Sequence, residues 1–516
     1  MQPRFVDLSR YTLRHDIEQM FVAEQIKLKL FMSKHWGRVY LTTDTWTSNH
    51  NFCYMSFTTH FIENGWTLPK KVLNFPKVIG HSGEVLAANI EMLVDEWELS
   101  RVFIVTVDNA ASNDTAVRNL TKSFISSNKV MLKGRYLQMC CCAHILNLIV
   151  KDGLKEIDDS IVRIRTAVRY IRASTGRHNK FLACIESAKI PYKGSLNIDQ
   201  ETRWNSTYTM LDTALKFQKA FDLFELRDSK FKAELSLGKG VPTVEDWIYV
   251  KSVLPFLKIF YGATMRISGS YYVTSNKYMK DVFAIGRMIK KYETDHDPSI
   301  RLMASNMKMK YEKYWGQPDK LNLLLLVAVV LDPQSKWEYL IVFLRLFFGT
   351  EKANELKSKV NSCLKSLYEL YEGKEEAAQS TQRMVQIDDE DDSDVYGYNY
   401  VDQETGSQVD DTSELDKYLI ETREPNKKGV EFDILKWWNV NSSRLPILSS
   451  IARDILAIPV STVASESAFS TGGRVLNDFR SSLAPQMVEN LICTQDWLKG
   501  SPFSSLSDED FEELQG

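Results

Sequence analysis

The fold of this chain is decided by three short stretches that each contain one acidic residue: TTDTWTS at 42–48, VTVDN at 105–109 and SESAF at 465–469. Asp44 and Asp108 each end a predicted strand, and Glu466 lies on the second turn of a predicted helix. Such positions hold a carboxylate rigidly. Two aspartates and a glutamate brought together can bind two divalent cations about 3.5–4 Å apart, an arrangement that supports phosphodiester cleavage. Spacing alone leaves open that three of the 67 acidic residues fall near element ends by chance.

Length and composition describe a multidomain globular protein with unevenly distributed charge. With 516 residues the chain exceeds one ordinary hydrophobic core, so two or three domains are expected. Residues 384–416 contain twelve Asp and Glu and no Lys or Arg, so the rest of the chain carries a net charge of +9 although the total is −3. A mildly basic body beside an acidic strip is compatible with a polyanionic partner.

Cysteine usage and hydropathy indicate the compartment. The seven cysteines are scattered, apart from Cys140–Cys142, and show no paired spacing, which favours a reducing compartment. The amino terminus lacks the apolar stretch of a signal peptide. The longest apolar run, Leu323–Leu331, has nine residues, far fewer than the roughly 20 that cross a bilayer. We therefore expect a soluble intracellular protein with no membrane partner.

The spacing of apolar residues predicts a helix followed by an α/β region. Residues 12–34 have helical periodicity, and strand and helix signals then alternate. Predicted strands cover 38–44, 52–61, 66–78, 101–108 and 136–142, and predicted helices cover 83–99, 110–124 and 143–154. This β-β-β-α-β-α-β-α order predicts a mixed sheet with helices on both faces.

Strand signals end near residue 154, and composition divides the remainder. We predict six segments: a helical lead-in (1–37), the first part of an α/β core (38–154), an all-helical insertion (155–372), an acidic disordered segment (373–430), an apolar carboxyl-terminal region (431–500) and an acidic tail (501–516). Disorder is predicted over 373–430 because acidic, Ser, Thr and Gln residues are abundant there and aliphatic residues are scarce.

Five motifs in a fixed order carry a resemblance to a known family. They are TTDTWTS (42–48), VTVDNAASND (105–114), CAHILNL (142–148), TRWNST (202–207) and IPVSTVASESAFS (458–470). A weaker sixth motif, Leu331-Asp332-Pro333, lies in the helical region. On these motifs, which span most of its length, the chain is identified as a member of the hAT transposases, in the branch of the RICESLEEPER and DAYSLEEPER proteins.

The resemblance implies a fold and a catalytic site. The fold is an RNase H-like mixed sheet interrupted by a large all-α insertion, with a carboxyl-terminal helical dimerisation segment that also supplies the last core helices. In the site, Asp44, Asp108 and Glu466 form an acidic triad that binds two Mg²⁺ or Mn²⁺ ions. The residues agree with this placement, since carboxylates at the ends of neighbouring strands can preorganise a metal pair. Ser461 or Thr462 is the expected cap of the helix that carries Glu466.

The same resemblance assigns DNA contacts to the CAHILNL and TRWNST motifs. In similar proteins the residue matching His144 lies beside the active site and contacts nucleic acid. Trp204 is expected to stabilise a base displaced from the duplex, with Arg203 on a phosphate and Asn205 beside it. The polar flanks favour an exposed indole, and stacking on an unpaired base is worth about 1–3 kcal/mol. A core tryptophan and a capping or packing histidine are the alternatives.

Two further patterns carry less weight. Cys140–Cys142 and His144 invite a zinc assignment, but neighbours in a strand point to opposite faces, so they cannot all ligate one tetrahedral ion and no zinc is predicted. Arg165, Arg169 and Arg172 recur at i, i+4 and i+7. This spacing fits a row of phosphate contacts or, equally, a solvated helix face.

Partners and location follow from the resemblance, as does one departure from it. DNA and a second copy of the chain are the expected partners, and the nucleus is the expected location. Similar proteins usually carry an amino-terminal BED zinc finger with paired Cys and His ligands. Only His15 and His35 precede residue 50, and no Cys precedes Cys53. We therefore expect either a shortened chain or one that has lost its DNA-reading module.

Two functional hypotheses remain open at this point. The first is an hAT-type transposase, in which water activated at the metal site attacks a phosphodiester and a strand hydroxyl completes transfer; the complete triad favours it. The second is a domesticated, catalytically inactive nuclear protein that binds DNA and self-associates as a regulator; the missing finger favours it. The TRWNST motif argues against an RNase H-like nuclease of unrelated biology.

Overall fold

The computed structural model describes residues 9–34, 38–155, 158–200, 203–269, 271–385, 413–427, 429–476 and 483–499. The chain divides into two compact units. The first, here called the sheet unit, comprises Met1–Met139, Ser270–Met279 and Asn322–Gly516. The second, called the helical unit, comprises Cys140–Gly269 and Lys280–Leu321. Among the described residues, no helix is both long enough and apolar enough to cross a membrane.

One mixed sheet organises the sheet unit. Its strands are β1 (Val39–Thr47), β2 (Cys53–His60), β3 (Lys70–Asn74), β4 (Lys77–Val78), β5 (Val102–Val107) and β6 (Gln138–Cys140). They follow the order β3-β2-β1-β5-β6, with β4 paired to β2. Strand β1 is antiparallel to β2 and parallel to β5. The predicted mixed sheet is confirmed, and the predicted strand over 66–78 is two strands, β3 and β4.

Helices make up most of the remaining described residues. In chain order they are α1 (Arg10–Lys34), α2 (Gly83–Glu96), α3 (Ala111–Ser126), α4 (Cys142–Leu154), α5 (Asp158–Arg172), α6 (Thr175–Ser187), α7 (Trp204–Lys216), α8 (Gln218–Arg227), α9 (Ser229–Leu235), α10 (Val244–Ile267), α11 (Ser275–Tyr292), α12 (Pro298–Trp315), α13 (Leu323–Val330), α14 (Lys336–Val385), α15 (Glu414–Ile420), α16 (Ile434–Asn441), α17 (Pro446–Leu456), α18 (Val463–Val475) and α19 (Pro485–Leu498).

The core explains why distant parts of the sequence meet at this sheet. All six residues of β5 are buried, as expected for an apolar strand in the middle of a sheet. Helix α18 packs against β1 and β2, and α19 packs against β3. Trp497 of α19 also contacts Phe21 of α1, with 5.0 Å between ring centroids. The carboxyl-terminal helices therefore complete a core whose strands come from the first 140 residues.

The helical unit has different limits from the predicted insertion over 155–372. Helix α4, predicted as part of the α/β core, belongs to the helical unit. Helices α13 and α14, predicted as part of the insertion, belong to the sheet unit and pack together and against α17. The reason is the composition of α13, whose eight apolar residues are all buried and need partners on every side.

The predicted disordered segment over 373–430 is helical at both of its described ends. Helix α14 continues to Val385, and α15 begins at Glu414, within the end of the acidic strip. The Glu414 carboxylate accepts hydrogen bonds from the amides of Ile447 and Leu448 at 3.3 and 3.2 Å, which caps α17. The buried Tyr418 hydroxyl donates to the carbonyl of Val330 at 3.0 Å. The prediction is therefore wrong for these two helices; residues 386–412 and the tail over 501–516 lie outside the described residues.

Candidate active site

Asp44 lies inside β1 and not at its end. The strand continues to Thr47, so the predicted strand boundary is wrong by three residues. The Oδ1 atom of Asp44 accepts a hydrogen bond from the amide of Thr45 at 2.8 Å. Burial, together with the negative charges of Asp108 and Glu466, raises the pKa of Asp44 to about 7, although the Thr45 hydrogen bond lowers it. Two of the acidic residues singled out in the sequence, Asp108 and Glu466, therefore act electrostatically on the third, Asp44, in the folded chain.

Asp108 directly follows β5, as predicted. Its Oδ1 atom accepts hydrogen bonds from the amide of Ala110, at 2.9 Å, and from the side-chain amide of Asn113. Ala110 is the cap residue of α3 and has no side chain that could satisfy the first amides of the helix. One carboxylate oxygen of Asp108 is thus fixed by the strand-to-helix turn that follows it.

Glu466 lies in the first turn of α18, one turn earlier than predicted. Its amide donates to the carbonyl of Thr462 at 3.0 Å. Of the two expected cap residues, Thr462 occupies the cap position, and its side chain makes no capping hydrogen bond to this helix. What fixes the start of α18 is instead its contact with the sheet.

A small cavity of about 140 Å³ is lined by Asp44 and Asp108. Thr43, Thr45 and His81 also line it. The Thr43 hydroxyl is buried and has no hydrogen-bond partner among the described residues, whereas Nδ1 of His81 lies 3.2 Å from Oγ1 of Thr45. His81 was not identified from the sequence, because it lies in the loop between β4 and α2 and belongs to none of the motifs.

The acidic residues suit a divalent cation in chemical type. Mg²⁺ and Mn²⁺ prefer oxygen ligands, and a cation would offset the mutual repulsion of Asp44, Asp108 and Glu466. The hydroxyl of Thr43 also lines the cavity, and it has no hydrogen-bond partner among the described residues, so it could bind a ligand or a water molecule there. In the described part of the chain, no three His, Cys, Asp or Glu side chains are close enough to hold one ion. The carboxylates therefore have to turn toward one another before they can share an ion.

Trp204 of the helical unit is buried. Only 4% of the residue is exposed, and its ring packs edge-on against Phe260 with 6.5 Å between centroids. The prediction of an exposed indole is wrong, because Trp204 is the first residue of α7 and this helix packs against α10. In this conformation the ring belongs to the core of the helical unit and presents no free face to a base.

Asp199, an acidic residue that precedes the TRWNST motif, has a structural role. The buried carboxylate of Asp199 accepts a hydrogen bond from Nε of Arg165 at 2.7 Å and another from Oγ1 of Thr207 at 3.2 Å. Arg169 lies 3.7 Å from its second oxygen. Arg165 and Arg169 of the predicted arginine row therefore pair with Asp199 in the segment before α7. Because this carboxylate already occupies them, they are less available to bind a DNA phosphate.

The other predicted DNA contacts lie at helix starts of the helical unit. His144 is the third residue of α4 and is half-buried. Arg203 is the exposed residue that precedes α7, and Asn205 is half-buried with an Oδ1 atom that has no hydrogen-bond partner in the described ranges. Glu201 and Thr202 lie outside the described residues. Arg203 is thus the most accessible of the four predicted contacts.

Trp437 and Trp438 of the carboxyl-terminal region both pack within the sheet unit. Trp438 is fully buried, and its Nε1 donates to the carbonyl of Leu331 at 3.1 Å. Trp437 donates to Glu424 at 3.0 Å. Apolar side chains are nevertheless exposed in and just before this region, including Ile420 (80% exposed) and Val440 (74% exposed). The apolar surface exposed here therefore comes from Ile420 and Val440 and not from the buried Trp438.

Four family models match the chain, and together they cover most of it. The hAT family C-terminal dimerisation region matches residues 414–498, and the hAT-like transposase RNase-H fold matches 276–371. The RNase-like domain of ZBED1 matches 42–136, and its RNase-like helical domain matches 139–256. These matches agree with an RNase H-like sheet, a helical domain and a carboxyl-terminal dimerisation region.

Curated proteins from plants are similar over nearly the whole chain. "Zinc finger BED domain-containing protein RICESLEEPER 2" of Oryza sativa is 32% identical over 97% of this chain and 70% of its own length. "Putative AC transposase" of Zea mays is 33% identical over 97% of this chain and 62% of its own length. "Zinc finger BED domain-containing protein DAYSLEEPER" of Arabidopsis thaliana is 30% identical over 98% and 70%, respectively. The chain thus spans about 62–70% of the length of these relatives.

Proposed function

The chain belongs to the hAT transposase family, and on that premise we propose that it is a DNA-binding, dimerising protein that cleaves and transfers DNA strands with divalent metal ions. The proposed metal-binding residues are Asp44, Asp108 and Glu466. The protein would form a homodimer through residues 414–498. It would act in the nucleus, where its DNA substrate is located.

One observation carries the catalytic proposal. The carboxylate of Asp44 is largely buried, and the negative charges of Asp108 and Glu466 act on it strongly enough to help raise its pKa. Asp44 and Asp108 line one small cavity, and like charges that approach one another without compensation are unfavourable, so a cation bound there would relieve their repulsion. Perturbed carboxylates gathered in this way are typical of functional sites.

The residues divide the work of the proposed site. Asp44 and Asp108 would hold a cation at the cavity that both of them line, and Glu466 would approach from α18. The Thr45 amide orients one oxygen of Asp44, and Ala110 with Asn113 orients one oxygen of Asp108. A bound Mg²⁺ or Mn²⁺ would lower the pKa of an attacking water and stabilise charge on the phosphodiester oxygens.

DNA contacts are proposed for His144, Arg203 and Asn205 of the helical unit. Arg203 is exposed, and a guanidinium pairs well with a phosphate. Trp204 is not proposed as a base-stacking residue in the conformation described here, since its ring is buried. Its role is to pack α7 against Phe260, which fixes the position of its neighbours Arg203 and Asn205.

The test of the catalytic proposal is a nicking assay with the full chain. Supercoiled plasmid carrying short terminal inverted repeats is incubated with Mn²⁺, Mg²⁺ or EDTA, and nicked product is quantified. Wild type should nick only with a metal ion. Asp108→Asn should retain DNA affinity, measured by fluorescence anisotropy, and lose nicking by at least about a hundredfold, the scale of removing a group that stabilises the transition state.

A matched variant guards against nonspecific effects of the amide substitution. Asp212→Asn removes a carboxylate from an exposed salt bridge with Lys216 in the helical unit and should nick like wild type. Equal nicking by Asp108→Asn and Asp212→Asn would contradict the assignment of Asp108. Metal-independent nicking by wild type would contradict the whole mechanism.

A further inference from the structure

The two strands that carry the aspartates share a short pattern, Thr-x-Asp. Thr42 precedes Asp44 by two residues on β1, and Thr106 precedes Asp108 by two residues on β5. Residues two apart in a strand lie on the same face of the sheet. Thr42 and Thr106 are also direct register partners in the parallel pairing of β1 with β5. The two threonines therefore lie side by side, one step before the two aspartates.

The hydroxyl of Thr42 connects β1 to the start of α18. The Oγ atom of Ser465, the residue before Glu466, donates to Oγ1 of Thr42 at 3.0 Å. Oγ1 of Thr42 in turn lies 3.2 Å from Nε2 of His60 on β2. Burial lowers the pKa of His60 to about 3, so its imidazole is neutral and can accept at Nε2. The Thr42 hydroxyl thus accepts from Ser465 and links it to His60, and the tautomer of His60 decides which group donates in the second hydrogen bond.

The hydroxyl of Thr106 connects β5 to the same carboxyl-terminal segment. Its Oγ1 donates to the carbonyl of Pro459 at 2.7 Å. Pro459 lies four residues before α18 begins at Val463. Thr106 thus binds the segment that precedes α18, and Thr42 binds the first turn of α18. Both hydroxyls are fully buried, so neither can exchange its partner for water without cost.

Further contacts along α18 show how the helix lies on β1. The ring of Phe469 stacks on Trp46 with 6.1 Å between centroids, and a Cβ at Gly472 would lie 3.2 Å from the Trp46 ring. Ser465, Phe469 and Gly472 are spaced at i, i+4 and i+7 and so share one face of the helix. This face contacts Thr42 and Trp46, the strand residues on either side of Asp44.

We propose that Thr42 and Thr106 are positioning residues, whose hydroxyls clamp residues 459–465 so that Glu466 stays beside Asp44. The inference rests on the proposed metal-dependent function and adds the device that brings the third acidic residue to the first two. Here the device is called the threonine clamp, meaning Thr42, Thr106, Ser465 and Pro459. Neither threonine contacts a metal ion or DNA in this proposal; each acts only through Glu466.

The test uses the full chain with Thr42→Val, Thr106→Val and Ser465→Ala. Thr59→Val is the matched control, because Thr59 is equally buried on β2 but its hydroxyl has no hydrogen-bond partner in the described part of the chain. Hydrogen–deuterium exchange of the 463–469 amides is measured first, without metal. Exchange there should rise about fivefold or more in the three clamp variants, the effect expected from losing one hydrogen bond, and remain at the wild-type rate in the control.

Mn²⁺ titration supplies a readout that simple destabilisation would not move. Thr42→Val should weaken Mn²⁺ binding about tenfold in the wild-type background. This factor corresponds to the loss of about one hydrogen bond in free energy. In the Glu466→Gln background the same substitution should have no further effect, since no third carboxylate remains to be positioned. The Thr42→Val and Ser465→Ala double variant should bind as weakly as Thr42→Val alone, because Thr42→Val already removes the hydrogen bond that Ser465→Ala removes.

The outcomes separate the clamp from the proposed function. If wild type binds no Mn²⁺, the metal-dependent function fails while the exchange rates still decide the clamp. Wild-type exchange in both Thr42→Val and Ser465→Ala would overturn the clamp. Equal weakening of Mn²⁺ binding by Thr42→Val with and without Glu466 would overturn the positioning role. If Thr42→Val does not fold, Ser465→Ala removes the same hydrogen bond from the other side.

Discussion

Arg38 and Asp454 form a buried ion pair between the residue before β1 and helix α17. The guanidinium of Arg38 also lies 4.5 Å from the ring centroid of Tyr371 on α14, and the Tyr371 hydroxyl donates to the same carboxylate. Three segments far apart in sequence therefore meet at one charged group. Because α17 leads into α18, this pair helps to keep the helix of Glu466 against the strand of Asp44.

Breaking this pair should destabilise the sheet unit strongly. Arg38→Met leaves the Asp454 carboxylate buried without its cation, a change that costs about 3–5 kcal/mol in the free energy of unfolding. Urea denaturation followed by circular dichroism measures it. Arg14→Met removes an exposed helix-surface pair with Glu18 and should leave the urea midpoint unchanged. Equal midpoints for the two variants would show that the buried pair contributes nothing.

Asp44 should make stability depend on pH in a specific window. Its pKa is raised to about 7 in the folded chain, from 3.8 as the ordinary value. The folded state therefore binds the proton more tightly than the unfolded state, and stability falls as pH rises from about 4 to 7 and is level above that. Asp44→Asn removes this penalty, about 4 kcal/mol at 1.36 kcal/mol per pKa unit. The urea midpoint of the variant should be higher than that of wild type at pH 8 and equal to it at pH 4. A difference in midpoint that does not change with pH would contradict the assignment of this pKa to Asp44.

Metal binding should compete with the same proton. Because a carboxylate must lose its proton to ligate a cation, Mn²⁺ affinity should fall about tenfold per pH unit below pH 7 and level off above it. Isothermal titration calorimetry between pH 5.5 and 8.5 measures this slope. Asp44→Asn should bind more weakly and lose the slope near pH 7. An unchanged slope in that variant would assign the competing proton to another group.

Trp204 should behave as a core residue. Trp204→Ala removes a buried ring that packs on Phe260, which typically costs about 3–5 kcal/mol. Trp204→Phe keeps most of the buried area and should keep most of the stability. Thermal unfolding and fluorescence anisotropy with single-stranded DNA are measured on both variants. Loss of DNA binding in Trp204→Ala with no loss of stability would instead support an exposed, base-stacking ring.

Self-association should depend on exposed apolar residues of the carboxyl-terminal region. Ile420 and Val440 lie within the segment that matches the hAT dimerisation region. Wild type should be a dimer by light scattering after size exclusion, and the Ile420→Asp and Val440→Asp double variant should shift toward monomer, since a charge in an apolar interface is unfavourable. Leu237→Asp alters a residue that is 91% exposed in the helical unit and should leave the dimer intact. A monomeric wild type would remove the dimer from the proposed function.

Local sequence determined much of the sheet unit. The apolar run over 102–107 and the alternation around it predicted the strands, and the helices between them were predicted within a few residues. Chain segments with one strong periodicity form the same element whatever surrounds them, because burying that face dominates the local energy. The Thr-x-Asp pattern was also present in the sequence at both aspartate motifs, although its meaning emerges only from the register of Thr42 with Thr106.

Tertiary structure decided what local pattern does not encode. The polar neighbours of Trp204 suggested exposure, but the ring is buried because α7 packs against α10. The acidic surroundings of Glu414 suggested disorder, but its carboxylate caps α17. Burial depends on which distant surface is complementary, and a residue's neighbours in the chain carry no information about that surface. For the same reason, the sequence by itself determined the strands that carry Asp44 and Asp108, whereas only the folded chain determined that Ser465 meets Thr42 and that Glu466 acts on Asp44.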